Sequence, residues 1–449
     1  MSSTNDILEQ DNHLIQSFAD LNALKQQGAR TVISRAEGPY VYGSDGQRMI
    51  DGIGGLWCVN VGHGREEIIS AVADQLRTLD YYSTFYNFTH PKAAELAAKV
   101  ASLAPGHLNT VYFGNSGSVA NDSAVRILHH YNIRKGKPEK RIVLSRTGAY
   151  HGSTHLAIAL TTPLYSEGWH AARDMVHHLP SSHHWRDGGD MTEAEFLDYL
   201  MATMREAIEH IGPDSICAFF AEPIQGAGGV IVAPEGYHKR ALEICHEYDI
   251  KYVADEVVTA FGRLGHFFAS EDVYDMVPDI ITTAKGLTSG YQPLSATIVS
   301  DDIHDVISGP DGMFMHGMTY SGHPAACAAG LANIAIMENE GIPERVRTTG
   351  KQFESILRGL MDIGMVGEVR GSHFMIGIEF VKDRATRESH APEKQVGLKV
   401  AQACQRRGLI VRPLGNVLIL SPTLIMDAPM FDDIAAILRE AINEVATAL

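Results

Sequence analysis

Ile250-Lys251-Tyr252-Val253-Ala254-Asp255-Glu256-Val257 and, a short way on, Asp279-Ile280-Ile281-Thr282-Thr283-Ala284-Lys285-Gly286 decide the fold. In each, a short, mostly apolar run leads to one ionisable residue, Asp255 in the first and Lys285 in the second. Runs of that length and content predict buried strands of a parallel sheet. In open α/β sheets the carboxyl ends of the strands are where ligands sit. Asp255 and Lys285 are therefore an acid and an amine presented at one edge.

Working outward, strand and helix patterns alternate. Residues 68–79, 93–103, 119–131 and 237–248 have helical spacing. Residues 110–113, 141–144 and 216–221 read as strands between them. This is βα alternation around a parallel sheet, an α/β fold. Before it, a helix is expected at 14–26, with hairpin-like strands at 31–34 and 40–42 and a turn at Ser44-Asp45-Gly46. The His-, Ser- and Gly-rich stretch 180–190 reads as a surface excursion. After the body come a helix at 324–339, strands at 375–380 and 418–420, and helices at 393–407 and 430–449. Both ends thus read as a smaller α+β domain, residues 1–58 and 326–449, flanking a large domain at 59–325.

With 449 residues the chain can bury a large core. Its formal net charge of −17 weighs against nucleic acid and anionic membrane as partners. Five scattered cysteines, without a Cys-x-x-Cys pair, point away from disulfides and zinc and toward a reducing cytoplasm. The polar, acidic start reads as lacking a secretory signal, and no apolar run is long enough to span a bilayer. The histidine pairs at 129–130, 177–178 and 183–184 lack acids at metal spacing and read as surface or packing residues.

Three further strand ends carry chemistry. Gly114-Asn115-Ser116-Gly117-Ser118 leads from a strand into a helix. Its backbone N–H groups and hydroxyls form a phosphate seat. Tyr150-His151-Gly152 offers an aromatic ring that could stack on a flat cofactor. Glu222 ends another strand. Each has an ordinary alternative: a capped turn, a packing pair, a capping acid, a solvated lysine. Together, a phosphate seat, a ring, an acid and a lysine are what a pyridoxal 5′-phosphate enzyme requires. The amine forms a Schiff base with the aldehyde, and the acid keeps the pyridine nitrogen protonated.

At these residues the chain resembles the class III aminotransferases, and within them the omega-transaminase (amine:pyruvate transaminase) branch. The resemblance runs from about Tyr40 to the last helix. It rests on Gly55-Leu56-Trp57-Cys58-Val59-Asn60-Val61-Gly62, Ser116-Gly117-Ser118, Tyr150-His151-Gly152-Ser153 and Glu222-Pro223-Ile224-Gln225-Gly226. Ala254-Asp255-Glu256-Val257, Ala284-Lys285-Gly286 and Thr319-Tyr320-Ser321-Gly322-His323-Pro324 extend it. It implies a fold-type I, aspartate-aminotransferase-like architecture in which 59–325 binds the cofactor. Lys285 would anchor the cofactor and carry the proton, and Asp255 would pair with the pyridinium. Tyr150 and Val257 would cover the two ring faces. Ser116, Gly117 and Ser118 would bind the phosphate, and Glu222 would join the polar network. Thr319 would bind the phosphate of a neighbouring subunit's cofactor. That implies a homodimer with shared active sites, with a tetramer as the alternative assembly. Trp57, Phe85 and Tyr150 would wall the substrate pocket, Phe85 from across the dimer.

Two positions depart from the family pattern. Val119 stands where Glu is usual, and His373 occupies a normally small position in Arg370-Gly371-Ser372-His373-Phe374. A third separates branches. Glutamate-using members carry an Arg two residues before a small-Pro pair; here that position is Ile419. Arg412 instead matches the mobile arginine of omega-transaminases, which can fork onto a keto-acid carboxylate and swing aside for an uncharged amine. The expected activity is ping-pong transfer of an amino group from an amine or ω-amino acid to a keto acid such as pyruvate. Another reaction on the same scaffold (aminomutase, racemase or decarboxylase) and a non-enzymatic binding role are the alternatives.

Overall fold

The computed structural model describes residues 3–27, 30–310 and 312–449. Its centre is a seven-stranded sheet. In spatial order the strands are Leu108–Gly114, Ser295–Ser300, Ile280–Thr283, Lys251–Asp255, Ile216–Ala221, Ile142–Arg146 and Val176–Leu179. The strands ending at Asp255 and before Lys285 are parallel neighbours, with Asp255 opposite Thr282. From Tyr252 onward the first of these strands is buried, as is the whole β-branched run Ile280–Thr283, because helices cover both sides of the sheet. The sheet is mixed: Ser295–Ser300 runs antiparallel to both of its neighbours. That strand follows Lys285 through a short connection, too brief for the crossover that a parallel strand needs.

The two ends of the chain meet. Ile33–Glu37, Tyr40–Gly43 and Arg48–Asp51 form a meander, and Leu409–Ile410 adds to it in parallel, with Ile410 opposite Asp51. A second sheet contains Val366–Ser372, Met375–Asp383, Val417–Leu420 and Arg412–Leu414. Among the described residues no helix is long and apolar enough to cross a membrane.

Two expectations need correction. The helix expected at 14–26 is instead two helices, Thr4–Asp11 and Leu21–Gln27. Between them the chain turns, with Phe18 in the left-handed region at φ 52°. Asp20 starts the second helix by accepting the Ala23 N–H at 2.9 Å. Nor is the stretch 180–190 a simple surface excursion. It contains the short helix His184–Asp187, and Ser182 and His183 are buried. His183 Nε2 lies 3.0 Å from Glu368, which also takes Arg370 at 2.7 Å.

Neither unusual residue disturbs the frame. Val119 donates its N–H to Ser116 Oγ at 3.2 Å and packs its methyls toward Gly114, so the helix start survives without the Glu. His373 sits in the turn between two strands at φ 51° and lies over Gly350 of the helix Ile342–Arg358. A Cβ at Gly350 would come 2.6 Å from His373 Cβ. Gly350 therefore makes the room that His373 occupies. Gly350→Ala should destabilise the protein by roughly 1–3 kcal/mol through overpacking. Adding His373→Gly, which suits the left-handed turn and removes the side-chain contacts but not the 2.9 Å approach to Cα, should restore part of that loss in urea unfolding. Additive losses would show that the two positions are independent.

Candidate active site

A cavity of about 360 Å³ opens at the carboxyl edge of the central sheet. Trp57, Gly117, Ser118, Tyr150, Glu222, Asp255, Val257, Lys285 and Arg412 line it together. The long helix Gly117–Arg134 points its N-terminus there, with Ser116 as the N-cap. Backbones crowd this end. A Cβ at Gly152 would come 2.4 Å from Ser118 Oγ, and one at Gly117 would touch both Val257 methyls at 3.0 Å. Ser118 Oγ accepts the Ser153 N–H at 3.1 Å. Glycine at these positions brings N–H groups close enough to hold an anion.

Asp255 is almost fully buried. Its Oδ2 accepts from Asn121 Nδ2 at 2.8 Å and from His151 Nδ1 at 2.7 Å, and its Oδ1 accepts the Val257 N–H at 3.1 Å. Asn121 is itself fixed by Thr282 Oγ1 at 2.7 Å. A buried carboxylate without such donors would be costly. Lys285 follows the strand Ile280–Thr283 and lies in the left-handed region at φ 33°. Its amine makes no hydrogen bond or ion pair with a described residue. Burial lowers the pKa of this amine, and the charges of Asp255, Cys58 and Glu222 oppose the shift. Glu222 spans two loops: one oxygen accepts Tyr150 N–H at 3.0 Å and the other Gly226 N–H at 2.8 Å. Burial raises its pKa above the usual glutamate value.

Arg412 lies directly opposite Ile419 across the hairpin of Arg412–Leu414 and Val417–Leu420. Ile419 is buried in an apolar cluster with Trp57 and Met375, whereas Arg412 lines the cavity without a carboxylate partner among the described residues. Phe85, Thr319 and Ser116 lie outside the lining of this chain's cavity. Phe85 packs at Gly317, and Tyr81 Oη donates to Thr319 O at 2.8 Å. Phe85 meets the exposed Tyr86 edge-on, and Tyr81 meets the exposed Tyr320 in the same way.

Sequence reading missed several lining residues. Ser17 and Phe18 reach the cavity from the N-terminal segment, where a helix was expected. Phe18 meets Tyr150 and Tyr165 edge-on at 6.0 and 6.1 Å. Asn121 and His151, both in the lining, support Asp255. The available signal for Asn121 is a polar residue one turn into the helix that follows the phosphate seat.

The residues fit pyridoxal 5′-phosphate. A helix N-terminus with crowded glycines suits the phosphate, a buried acid suits a ring nitrogen, and a partnerless buried amine suits the aldehyde. Tyr150 and Val257 both border the space between them. Comparisons with known proteins agree. The class-III aminotransferase family model matches residues 23–442. Putrescine–pyruvate aminotransferase of Pseudomonas aeruginosa is 40% identical over 98% of this chain and 96% of its own. An (S)-enantioselective omega-transaminase from Thermomicrobium roseum superposes with a TM-score of 0.96 at 37% identity, covering 99% of each chain. The omega-transaminase of Pseudomonas jessenii, solved in complex with PMP, gives 0.95 at 33% identity, covering 98% of each. The chain belongs to the class-III aminotransferases, which are pyridoxal phosphate-dependent enzymes, and its fold is fold-type I.

The lowered pKa has a direct test. In cofactor-free protein, trace acetylation followed across pH by mass spectrometry should place the Lys285 inflection below the ordinary lysine value of about 10.4. Asp255 favours the charged amine, so Asp255→Asn should move the inflection lower still. An upward movement would contradict the electrostatic account.

Proposed function

We propose that this transaminase moves the amino group of a primary amine or ω-amino acid to pyruvate, working as a homodimer in the cytoplasm. The observation that carries the reading is the pairing of Arg412 with Ile419. One guanidinium without a carboxylate partner among the described residues shares the cavity with apolar Leu56, Trp57 and Ile224, so the pocket can serve a carboxylate and an uncharged side chain in turn. The named activity of the Pseudomonas aeruginosa relative supports pyruvate as acceptor and a diamine as one candidate donor.

When bound, pyridoxal 5′-phosphate supplies an aldehyde that condenses with amines and a ring that withdraws electrons. The N–H groups at Gly117 and Ser118 would hold its phosphate, with the Ser116 cap setting the helix start. Asp255, oriented by Asn121 and His151, would keep a proton on the ring nitrogen. Lys285 would be the covalent anchor. Released from that anchorage by the incoming amine, its Nζ, whose neutral form burial favours, would take the proton from the donor carbon. Glu222 holds the Tyr150 loop by its backbone and so would place that ring to cover one face of the cofactor. Trp57 and Tyr150 wall the donor side. The exposed aromatic face around Phe85 and Thr319 suits a second copy of the chain, which would bring these residues to the partner's site. Exposed apolar patches of this kind mark interfaces.

Three outcomes are expected. Lys285→Ala should lose borohydride-stable attachment of the cofactor and stop turnover; persistent attachment at another lysine would overturn the assignment. Arg412→Ala should raise the KM for pyruvate roughly tenfold to a hundredfold, as loss of a charge-assisted contact implies. It should leave the half-reaction with an uncharged arylalkylamine nearly unchanged, as read by stopped-flow absorbance. Equal damage to both half-reactions would make Arg412 structural. Dilution below the dimer dissociation constant should lower cofactor occupancy and activity together, whereas a fully active monomer by light scattering would rule out shared sites.

A further inference from the structure

Trp57 is carried on a tightly wound turn. Gly54 and Gly55 have φ of 52° and 65°, and Trp57 itself has φ 64°. Glycine accepts that region freely, but a tryptophan does so only when its surroundings force it. The turn is held from two sides. On one side is Asp51, 2% exposed, at the end of the strand Arg48–Asp51. Its Oδ2 accepts the Gly55 N–H at 2.7 Å, and its Oδ1 accepts the Ile53 N–H at 3.3 Å. His63 Nε2 donates to the same Oδ2 at 3.0 Å. On the other side Ser421 donates its N–H to Gly52 O at 2.9 Å and its Oγ–H to Ile53 O at 3.1 Å. A Cβ at Gly54 would come 2.9 Å from Ser421 O, so the turn is pressed against that backbone.

What the turn delivers to the cavity wall is the Trp57 indole, buried in an apolar cluster with Ile224, Met375 and Ile419. Neither Asp51 nor His63 lines the cavity. We propose that Asp51, oriented by His63, is a positioning residue that sets the width of the donor pocket by holding Trp57 in its left-handed turn. The inference rests on the reading of Trp57 as a donor wall. Without the carboxylate, the Ile53 and Gly55 amides lose their acceptor. Trp57 can then relax toward an ordinary backbone conformation and withdraw its ring from the wall. Small donors lose a contact surface, and bulky ones gain room.

The test compares arylalkylamines whose smaller substituent grows from methyl to propyl, using the holoenzyme with pyruvate. In Asp51→Ala the ratio of kcat/KM for propyl over methyl should rise about tenfold or more. Asp51→Asn, which keeps one carbonyl acceptor and guards against a folding failure, should give a smaller rise. His63→Gln, which retains an N–H donor, should stay near wild type, and His63→Ala should lie between. A second readout is independent of turnover. The chain has three tryptophans, Trp57, Trp169 and Trp185. In a Trp169→Phe/Trp185→Phe background, acrylamide should quench Trp57 several times more strongly once Asp51 is replaced. A uniform fall in kcat for every donor, with Trp57 quenching unchanged, would overturn the proposal. Loosened quenching with unchanged donor preference would overturn it too. A Trp57→Ala control then shows where the fault lies: if that variant also leaves donor preference unchanged, the reading of Trp57 as a wall has failed.

Discussion

A negative charge buried at a strand end is the constraint on which the rest of the site depends. Asp255 is almost out of water, and a carboxylate there persists only if donors surround it. Asn121 comes from the helix behind the phosphate seat, His151 from the loop that carries Tyr150, and the Val257 N–H from the next residues of the chain. Satisfying one carboxylate therefore fixes three segments relative to each other. Those segments are the ones that border the cavity.

The two cationic side chains of the cavity stand in contrast. Lys285 and Arg412 have no hydrogen-bonded acid among the described residues. Burial favours the neutral, nucleophilic form of the amine, which the covalent role proposed for it would require. Under the proposed function, the guanidinium opposite Ile419 would serve a carboxylate that comes and goes. One cross-strand pair thus sets a cavity-lining charge opposite a residue buried in an apolar cluster.

The smaller sheets matter because they bring the N- and C-terminal parts of the chain to the same cavity. Leu409–Ile410 pairs with Arg48–Asp51, and Ser421 grips the turn before Trp57. The pocket is consequently lined by residues more than 350 positions apart in sequence, Trp57 and Arg412, with Ile419 in the same apolar cluster as Trp57. The backbone strain at Trp57 is held there by long-range contacts.

Local pattern alone determined the strands that end at Asp255 and precede Lys285, the helix after Ser118, and the order of chemistry along the strand ends. These follow from apolar periodicity and turn residues, which act over a few neighbours and are written in the chain itself. Resemblance of motifs extended that reading to Arg412 and Trp57. Only the tertiary structure decided the rest. Phe18 reaches the cavity because the N-terminal segment breaks where its spacing suggested a helix. The strand Ser295–Ser300 runs antiparallel, His373 fits because Gly350 leaves space, and Ser182 and His183 are buried. Asn121, His151 and Asp51 take their roles from acceptors and donors brought together by folding. Such contacts join residues distant in sequence, and no local periodicity encodes which buried polar group will meet which.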